Sequence, residues 1–548
     1  ALTDNTTGAR NTALGAAALG DNTTAADNTA VGAQALRVNT TGHSNAAIGA
    51  YALDANTTGY KNTALGYHSL GNNDEGHSNT AMGYNAAVNV TTGDYHVAIG
   101  HDALSTATTV GQLVAVGRAA MAANTSGLHN VAVGYGAMQA NTSGGSNTAL
   151  GYSALWTNTT GHRNTAVGRD ALYSGNGDDN VAVGNEALEN NTGSSNTGIG
   201  ADAMHLNTSG SYNTALGAYC LDANTTGTRN VAVGFDALGA ITTGDNCTAV
   251  GHQALVANTA EHNTAVGRNC LAANTTGTYN TAFGAECADA ITGGNSNCAF
   301  GYSALDALTT GSNNSAFGIQ ALGANTAEHN TAVGANAAIA NTTGTYNTAF
   351  GANALATNTT SNSNTAVGYK ALYTNTGADN VAMGYQALED NTTGQYNTAI
   401  GYEALQNNTT SSYNTAVGWD ALKTQTTGNQ NTALGYRAGD DFAASASVFV
   451  GNHAGDGLTT GEQCTMLGYY AGVSSLGATT NYQLYIARND AGAGASATWI
   501  RGDSTGACYQ GNNSSSWSTT SDIRIKKNIA DIDSTQGLEI VNKIRVRN

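Results

Sequence analysis

The stretch that decides the fold is residues 28–44, NTAVGAQALRVNTTGHS, because this pattern recurs about 28 times along the chain. The glycine that follows its apolar residue falls at every seventeenth position from Gly15 to Gly168, and the series continues to Gly468 with a few intervals of 16. A period this short cannot hold a pair of helices, but it fits one coil of a β-solenoid. The sequence therefore predicts an all-β parallel β-roll or β-solenoid of about 28 rungs over residues 1–470.

Within one coil, residues 28–32 show the two-residue alternation of a strand, with Thr29 and Val31 on one face and Ala30 on the other. A second short strand is expected at residues 39–42, and the stacked asparagines that open the first strand are expected to form a ladder of hydrogen-bonded amides. The column of Val31 is always apolar but varies in size, whereas the column of Ala30 rarely exceeds a methyl group. Both faces of the strand therefore look occupied, and the residues leave open which one lines the interior.

A coil of 17 residues encloses one small interior, so a second apolar face needs a partner. The simplest partner is another copy of the chain, and we expect an oligomer about the long axis. The alternative is a wide solenoid formed by a single chain, which is disfavoured because so short a coil encloses little core.

The composition fits such a repeat and argues against several functions. The chain has 70 glycines, which suit frequent turns, and no proline, which would remove a donor from a continuous ladder. Its formal net charge of −18 repels phosphate backbones, so no nucleic-acid partner is expected. No apolar run reaches the length of about 18 residues that a membrane span needs. The array begins almost at Ala1 without an initiator Met, which predicts a processed start or an N-terminal anchoring domain outside this chain.

The cysteines of the repeat array and the histidines His262 and His329 occupy regular positions of the repeat and do not form catalytic or metal-binding motifs. The seven cysteines lack metal-type spacing. Cys270 and Cys287 fall in one column of successive coils, about 4.8 Å apart, where free buried thiols are favoured over a disulfide. His262 and His329 recur in the same A-E-H-N-T context and are interpreted as corner residues, so neither a metal site nor a cofactor is predicted.

A tyrosine often follows the strand glycine, as at Tyr67, Tyr84, Tyr135 and Tyr152. These four residues are candidate glycan contacts, because an exposed aromatic row can stack on sugar rings. The alternative, which the regular spacing favours, is a ladder of stacked rings that shields the corner of the roll.

The repeat ends near residue 470, and two different segments follow. Residues 471–520 contain short β-type runs separated by Gly, Asn and Ser clusters, which predict a neck that caps the last rung. Residues 521–548 carry six Lys or Arg against four Asp or Glu, and their apolar residues from Leu538 to Ile544 have helical spacing. A new domain, partly present and helical, is therefore expected to start at residue 521.

Residues 521–529, SDIRIKKNI, resemble the opening of the C-terminal intramolecular chaperone domain of phage tailspikes, tail fibres and endosialidases. The resemblance covers the last 28 residues and implies a trimeric, largely helical cap that assembles the preceding β shaft and typically cuts itself off. In that family the cleavage uses a serine at the first position of the motif and a lysine five residues later, which here are Ser521 and Lys526. The implied scissile bond is Thr520–Ser521, with the lysine deprotonating the serine hydroxyl.

The repeats over roughly residues 5–470 are similar to the head of trimeric autotransporter adhesins, whose strands carry a related S-V-A-I-G pattern on a left-handed parallel β-roll. The matching strands here read Asn-Thr-Ala-Val-Gly with variants, on a longer period than in that family. This resemblance implies a homotrimer. The membrane anchor of those adhesins is absent from this sequence, and the chaperone-like tail favours the phage family.

Together these features predict a trimeric structural shaft of a virion tail fibre, located outside the cell, that presents or forms the host-contacting end. Its expected partners are a host surface glycan or protein receptor and a virion attachment protein, the latter through a missing N-terminal region. No enzymatic activity is expected beyond a single-turnover Ser–Lys self-cleavage. The alternative is a bacterial surface adhesin or secreted fibre built from the same β-roll. An ice- or mineral-binding threonine face and a glycan depolymerase are further hypotheses, disfavoured by interrupted threonine columns and by the lack of an insertion that could form a cleft.

Overall fold

The computed structural model describes residues 1–472, 481–487 and 498–510, and the chain divides into two units, residues 1–386 and 387–548. Each unit is described by itself. The described residues form strands and turns and contain no α-helix, which confirms the predicted all-β solenoid. The helix expected after residue 521 lies outside the described residues.

Each coil of the first unit contributes one strand of three residues. The strands are β1 (Thr12–Leu14), β2 (Thr29–Val31), β3 (Ala46–Ile48), β4 (Thr63–Leu65), β5 (Thr80–Met82), β6 (Val97–Ile99), β7 (Val114–Val116), β8 (Val131–Val133), β9 (Thr148–Leu150), β10 (Thr165–Val167), β11 (Val181–Val183), β12 (Thr197–Ile199), β13 (Thr214–Leu216), β14 (Val231–Val233), β15 (Thr248–Val250), β16 (Thr264–Val266), β17 (Thr281–Phe283), β18 (Cys298–Phe300), β19 (Ser315–Phe317), β20 (Thr331–Val333), β21 (Thr348–Phe350), β22 (Thr365–Val367) and β23 (Val381–Met383).

The second unit continues the same pattern and then departs from it. Its described strands are β24 (Thr398–Ile400), β25 (Thr415–Val417), β26 (Thr432–Leu434), β27 (Val448–Val450), β28 (Thr465–Leu467), β29 (Leu484–Ala487), β30 (Thr498–Gly502) and β31 (Cys508–Gln510).

From β1 to β23 in the first unit, and from β24 to β29 in the second, successive strands pair in parallel and in register. Ala30 pairs with Ala47 in coils of full length, and Ala249 pairs with Ala265 across a shortened coil. The shortened coil loses its residue from the loop before the strand, at residues 259–262, so the columns of side chains do not shift.

The second strand expected in the N-T-T-G segment is wrong. In the structure this segment is a turn, because Thr40 N and Thr41 N both donate to one acceptor, Thr57 O, at 3.0 and 3.2 Å. A β-ladder would spread its hydrogen bonds over successive carbonyls. The Asn39 side chain closes the turn by donating to Gly42 O at 2.9 Å. Each coil therefore has one strand, and the rest of its circuit consists of turns bonded to the next coil.

The central residue of each strand points into the coil. In β2–β23 that residue is buried, and the two residues beside it are half-buried or exposed. Ala30, Ala35 and Leu36 are fully buried and represent three columns of the core. The alanine column thus lines the interior and the column of Val31 faces outward, which decides the alternative that the sequence left open.

The buried leucine of the coil has a left-handed backbone, as shown by Leu36 with a φ of 52°. This conformation costs an L-residue about 1–2 kcal/mol, and burying the leucine side chain contributes about 1.5–3 kcal/mol. The burial of the side chain therefore offsets the cost of the backbone.

The glycine that ends each strand cannot be replaced by a residue with a side chain. Gly32 has a φ of 138°, and a Cβ at this position would collide with Gly49 O of the next coil.

Two columns of asparagine run inside the coil, where the sequence predicted one. Asn45 N donates to Asn28 Oδ1 at 2.9 Å, and Asn28 Nδ2 donates to Gly42 O at 2.9 Å. In the second column Asn39 Nδ2 donates to Asn22 Oδ1 at 3.0 Å and to Gly42 O at 2.9 Å. These side chains are at most 1% exposed. The predicted amide ladder is confirmed, and the coil interior is a polar network satisfied from coil to coil.

The ladders are interrupted where another residue replaces asparagine. Val90 follows Asn73 in one column, and the Oδ1 of Asn73 has no hydrogen-bond partner. His96 replaces asparagine in the other column and is 1% exposed. Neither of its ring nitrogens makes a well-formed hydrogen bond, although the Val110 carbonyl lies near. Burial lowers the pKa of His96, and the charge of Asp94 opposes that shift in part.

The coil of β27 in the second unit has a different core. Phe449 occupies the central strand position that alanine holds in most coils, and it is fully buried. Gly439 and Gly455 stand where other coils have leucine, and a Cβ at either glycine would collide with the Phe449 ring. Phe442 packs edge-on against Phe449 with ring centroids 4.8 Å apart. Phe449 thus occupies the volume that the two leucines vacate, and Phe442 stands at the position that Asn39 holds in its coil.

The parallel ladder of the second unit ends in an antiparallel sheet. β29 still pairs in parallel with β28, with Met466 opposite Tyr485. β30 then runs antiparallel to β29, and β31 antiparallel to β30. The neck expected over residues 471–520 stays a prediction, since the structure describes only parts of that segment.

Candidate interaction surfaces

The outward face of the strand column in the first unit is uncharged. The first residue of each strand is Thr, Val, Ala, Ser or Cys, and the third is Val, Leu, Ile, Met or Phe. None of the residues of β1–β23 carries a charge, although the chain has a net charge of −18. The face thus combines a continuous column of apolar third residues with a column in which threonine predominates, and a single chain leaves both partly in contact with water.

Aromatic residues cluster on part of this face. Phe283, Phe300 and Phe317 come from three successive coils and stack with centroid distances of 4.8 and 4.9 Å and interplanar angles of 8° and 6°. The side chains still expose their outer edges, with Phe317 38% exposed. The in-register stacking follows from the parallel ladder beneath, which places equivalent residues one strand spacing apart.

The four tyrosines predicted as glycan contacts lie at an exposed corner after the strand glycine. Tyr67 and Tyr84 stack with centroids 5.3 Å apart, and Tyr84 stacks in turn on His101 at 5.0 Å. Tyr135 and Tyr152 stack at 5.1 Å with an interplanar angle of 8°. The structure brings the residues together in two pairs rather than in one row.

These stacks present ring edges to the solvent. Both faces of Tyr84 are covered by rings, and Tyr135 is flanked by Tyr152 and by the Arg118 guanidinium, 5.7 Å from its centroid. A sugar that stacks on an aromatic residue needs a free face. The geometry favours the ladder interpretation, and a glycan contact through the hydroxyls and edges stays a prediction.

The two histidines interpreted as corner residues also belong to ring stacks. His262 stacks on Tyr279 at 5.0 Å, and His329 stacks on Tyr346 at 5.1 Å with an interplanar angle of 3°. In both cases the tyrosine comes from the next coil, so the histidines contribute to corner packing.

Among the described residues, one group of potential metal ligands was not predicted from the sequence. Glu186, Asp202 and His205 present ligand atoms within 4.8 Å of one another. Glu186 and Glu189 occupy two positions of one coil, and Asp202 and His205 occupy the equivalent positions of the next. Arg169 forms an ion pair with Glu186, and Glu189 Oε2 lies 3.1 Å from His205 Nδ1. Arg169 thus compensates part of the negative charge, and the corner as a whole stays acidic.

An acidic pair lies elsewhere in the corner column of Glu189 and His205, five residues after the strand glycine. Asp289 and Asp306 come from successive coils, and burial together with a hydrogen bond to Asp306 raises the pKa of Asp289 to about 6. Two carboxyl groups that are close enough to share a hydrogen bond do not both ionise readily, so the pair holds a proton at mildly acidic pH.

The cysteines fill repeat positions, as predicted. Cys270 and Cys287 are free, buried thiols in adjacent coils. A hydrogen bond with Cys287 and burial raise the pKa of Cys270, so the reactive thiolate is disfavoured. Cys220 lies in the same column, and Cys247 and Cys464 are buried in an asparagine column.

An open depression on the first unit tests the depolymerase hypothesis. It has a volume of about 280 Å³ and is lined by Thr92, Asp94, Tyr95 and Leu128, among others. Asp94 is its single carboxylate, so it lacks the pair that glycoside hydrolysis normally uses.

The residues implied in self-cleavage, Ser521 and Lys526, and the bond Thr520–Ser521 lie outside the described residues. The described part of the chain contains no helix with the length and hydrophobicity needed to cross a bilayer.

Comparison of the chain with protein-family models, curated proteins and solved structures finds no match. The coil geometry and the surfaces described above are therefore the basis for a functional proposal.

Proposed function

We propose that the chain is the structural shaft of a virion tail fibre, assembled as a homotrimer, that presents or forms the host-contacting end. The observation that carries this proposal is the unbroken parallel stack of coils in the first unit, in which each strand is paired with the next. A stack in which every element contacts its neighbours suits a protein that spans distance. The apolar outward face supports assembly from several copies.

Host contact is proposed for the exposed corners of the coil. The edges of Tyr67, Tyr84, Tyr135 and Tyr152 are accessible there, at 39–53% exposure. Such aromatic edges, which combine an apolar ring with a polar hydroxyl, suit contact with a host surface glycan or with a protein loop. Replacing these four tyrosines with alanine is expected to weaken adsorption to host cells while the coil stack remains folded.

Self-cleavage forms a separate part of the proposal and rests on the resemblance of residues 521–529. Ser521 and Lys526 would act once, at the Thr520–Ser521 bond. The mass of the denatured chain tests this step, because cleavage shortens the chain to residue 520 and Ser521→Ala should leave it intact. An uncleaved wild-type chain after prolonged incubation contradicts the step and leaves the shaft proposal standing.

Two measurements test the shaft. The native mass of the purified protein should correspond to three chains of 55.1 kDa, about 165 kDa before any cleavage. Mass spectrometry should detect the chain in purified virus particles. Detection only in the surface fraction of uninfected bacteria would contradict the tail-fibre proposal in favour of an adhesin.

A further inference from the structure

We propose that copies of the chain pack on one another through the outward strand face of the first unit, formed by the first and third residues of β1–β23. This inference rests on the proposed homotrimeric shaft and deepens it, because it names the surface at which the copies meet. Five observations on the face support it: its backbone, its exposure, its area, its charge and its spacing.

The backbone of this face is already satisfied. The strands pair on both sides within the stack, as β3 does with β2 and β4. A partner therefore cannot bind by adding a strand to this face. What remains for a partner is the side chains, of which Leu14, Leu150 and Phe350 are 68%, 48% and 54% exposed.

The exposed area matches that of an interface. Fully burying a valine or leucine side chain contributes about 1.5–3 kcal/mol, and at about 25 cal/mol per Å² this corresponds to about 60–120 Å² of apolar area removed from water. An average exposure of about one third leaves roughly 30 Å² at the third residue of each strand, or on the order of 700 Å² over the face. The largest apolar patch on a typical monomer is about 300–600 Å², whereas each partner in a stable complex buries about 800 Å². The threonines and valines at the first position bring the face to that size.

The charge distribution indicates that the partner is another copy. With a net charge of −18, two copies repel each other when their charged corners meet. The strand face lacks charge throughout β1–β23, so copies that approach through it bring no like charges into contact. A basic partner would instead be attracted to the acidic corners, such as that of Glu186 and Asp202.

The spacing of the face points to the same partner. Side chains repeat along it at every strand, about 4.8 Å apart, and another copy has this spacing along its whole length. Closed symmetric homo-oligomers are also the commonest soluble assemblies. Val97, Val114 and Val131 replace threonine in three successive coils, which removes hydroxyls from that part of the face and suits a dry contact there better than an ordered water layer.

The main experiment introduces like charges into the proposed contact. In the full chain, Phe283→Glu with Phe317→Glu places carboxylates on the face of each copy. We expect self-association, measured by analytical ultracentrifugation across a concentration series, to weaken at least tenfold. The matched control is Thr276→Glu with Thr310→Glu, which adds the same charge on the exposed turns 274–277 and 308–311 of nearby coils and should leave association unchanged.

The outcomes separate this inference from the proposed function. A wild-type protein that is monomeric at all concentrations contradicts both the trimeric shaft and the contact face. A wild-type oligomer that both variants leave equally stable contradicts the face alone and leaves the shaft standing.

A second measurement does not depend on the folding of the charged variant. A benzophenone amino acid at Phe300 retains an aromatic ring at that position and should cross-link one chain to another on illumination. The same group at Tyr279, which is exposed at a corner, should give mainly uncross-linked chains. Equal cross-linking from both positions, or none from Phe300 in an oligomeric sample, would overturn the assignment.

Discussion

The regular coils of the first unit and the coil of Phe449 in the second unit fill the same interior in different ways. In the regular coils a small central residue faces a leucine, and even a Cβ built at Gly198 lies 3.1 Å from Leu188 Cγ. Around Phe449 the large residue is central, and glycine replaces leucine at positions 439 and 455. The difference teaches that the central strand column and the leucine column share one volume. A large residue can enter one column only when a small residue stands in the other.

The largest effect is expected from emptying the unusual coil. Phe449→Ala should lower the free energy of unfolding of the second unit by about 4 kcal/mol, because the neighbouring glycines cannot fill the cavity. Hydrogen exchange of the β26–β28 amides measures the local loss. Val448→Ala removes an outward side chain of the same strand and should cost under about 1 kcal/mol. Equal losses in the two variants would contradict the inward placement of Phe449.

The reverse exchange sharpens the comparison. Gly198→Phe should destabilise the first unit by about 3 kcal/mol, because the ring meets Leu188 in a filled core. Gly198→Ala restores the usual residue and should stay within about 1 kcal/mol of wild type. Adding Leu188→Gly and Met204→Gly to Gly198→Phe reproduces the arrangement around Phe449 and should recover part of the loss. Failure of both glycines to recover stability would show that the columns do not exchange volume.

An acid titration tests the interrupted ladder at His96. Burial lowers the pKa of His96 in the folded chain, so the unfolded chain binds the proton more readily. The stability that the neutral ring contributes is complete above the unfolded value of about 6.5 and is lost as the pH falls below it. His96→Asn returns asparagine to the column and should remove this part of the pH dependence, as measured by denaturant unfolding between pH 8 and 5. An unchanged profile would contradict the role of His96.

The smallest effect is expected at the corner, outside the packed columns. The folded pKa of Asp289 is about 6, above its ordinary value of 3.8, so its carboxylate form destabilises the fold at neutral pH, and stability rises as the pH falls from about 7 to 4. Asp289→Asn should stabilise the chain by about 1 kcal/mol at pH 8, a modest value because the solvent screens this partly exposed pair.

Two controls accompany this corner test. Asp306→Asn should act like Asp289→Asn, and the double variant should gain nothing further from relief of the repulsion. No difference from wild type at pH 8 in thermal unfolding would contradict the coupling of the two carboxyl groups.

The sequence predicted most of the fold because each column keeps its chemistry over many coils. The parallel register, the size limits of the alanine and leucine columns and one asparagine ladder all follow from the period. The N-T-T-G segment was misread because threonine is common in strands, while the shared acceptor Thr57 O makes the segment a turn. The second ladder at Asn39 was missed for the same reason, since a turn can direct its first side chain inward.

The surfaces were harder to predict than the core. The group formed by Glu186, Asp202 and His205 joins two coils, and its signal in the sequence is the recurrence of acidic residues two positions after the strand glycine. The tyrosine corner was found from its spacing, but only the ring geometry shows that neighbouring coils cover the faces of Tyr84.

By itself the sequence determined the period, the class of fold and the size limit of each column, because these properties repeat and a repeat can be read without coordinates. The tertiary structure decided which side of the strand faces inward, since alternation alone separates two faces without orienting them. It also decided that Phe449 fits, because the space comes from glycines in two turns that flank its strand. The physical reason is the same in both cases: packing depends on what the neighbouring turns and coils place opposite a residue, and one coil's sequence does not contain that information.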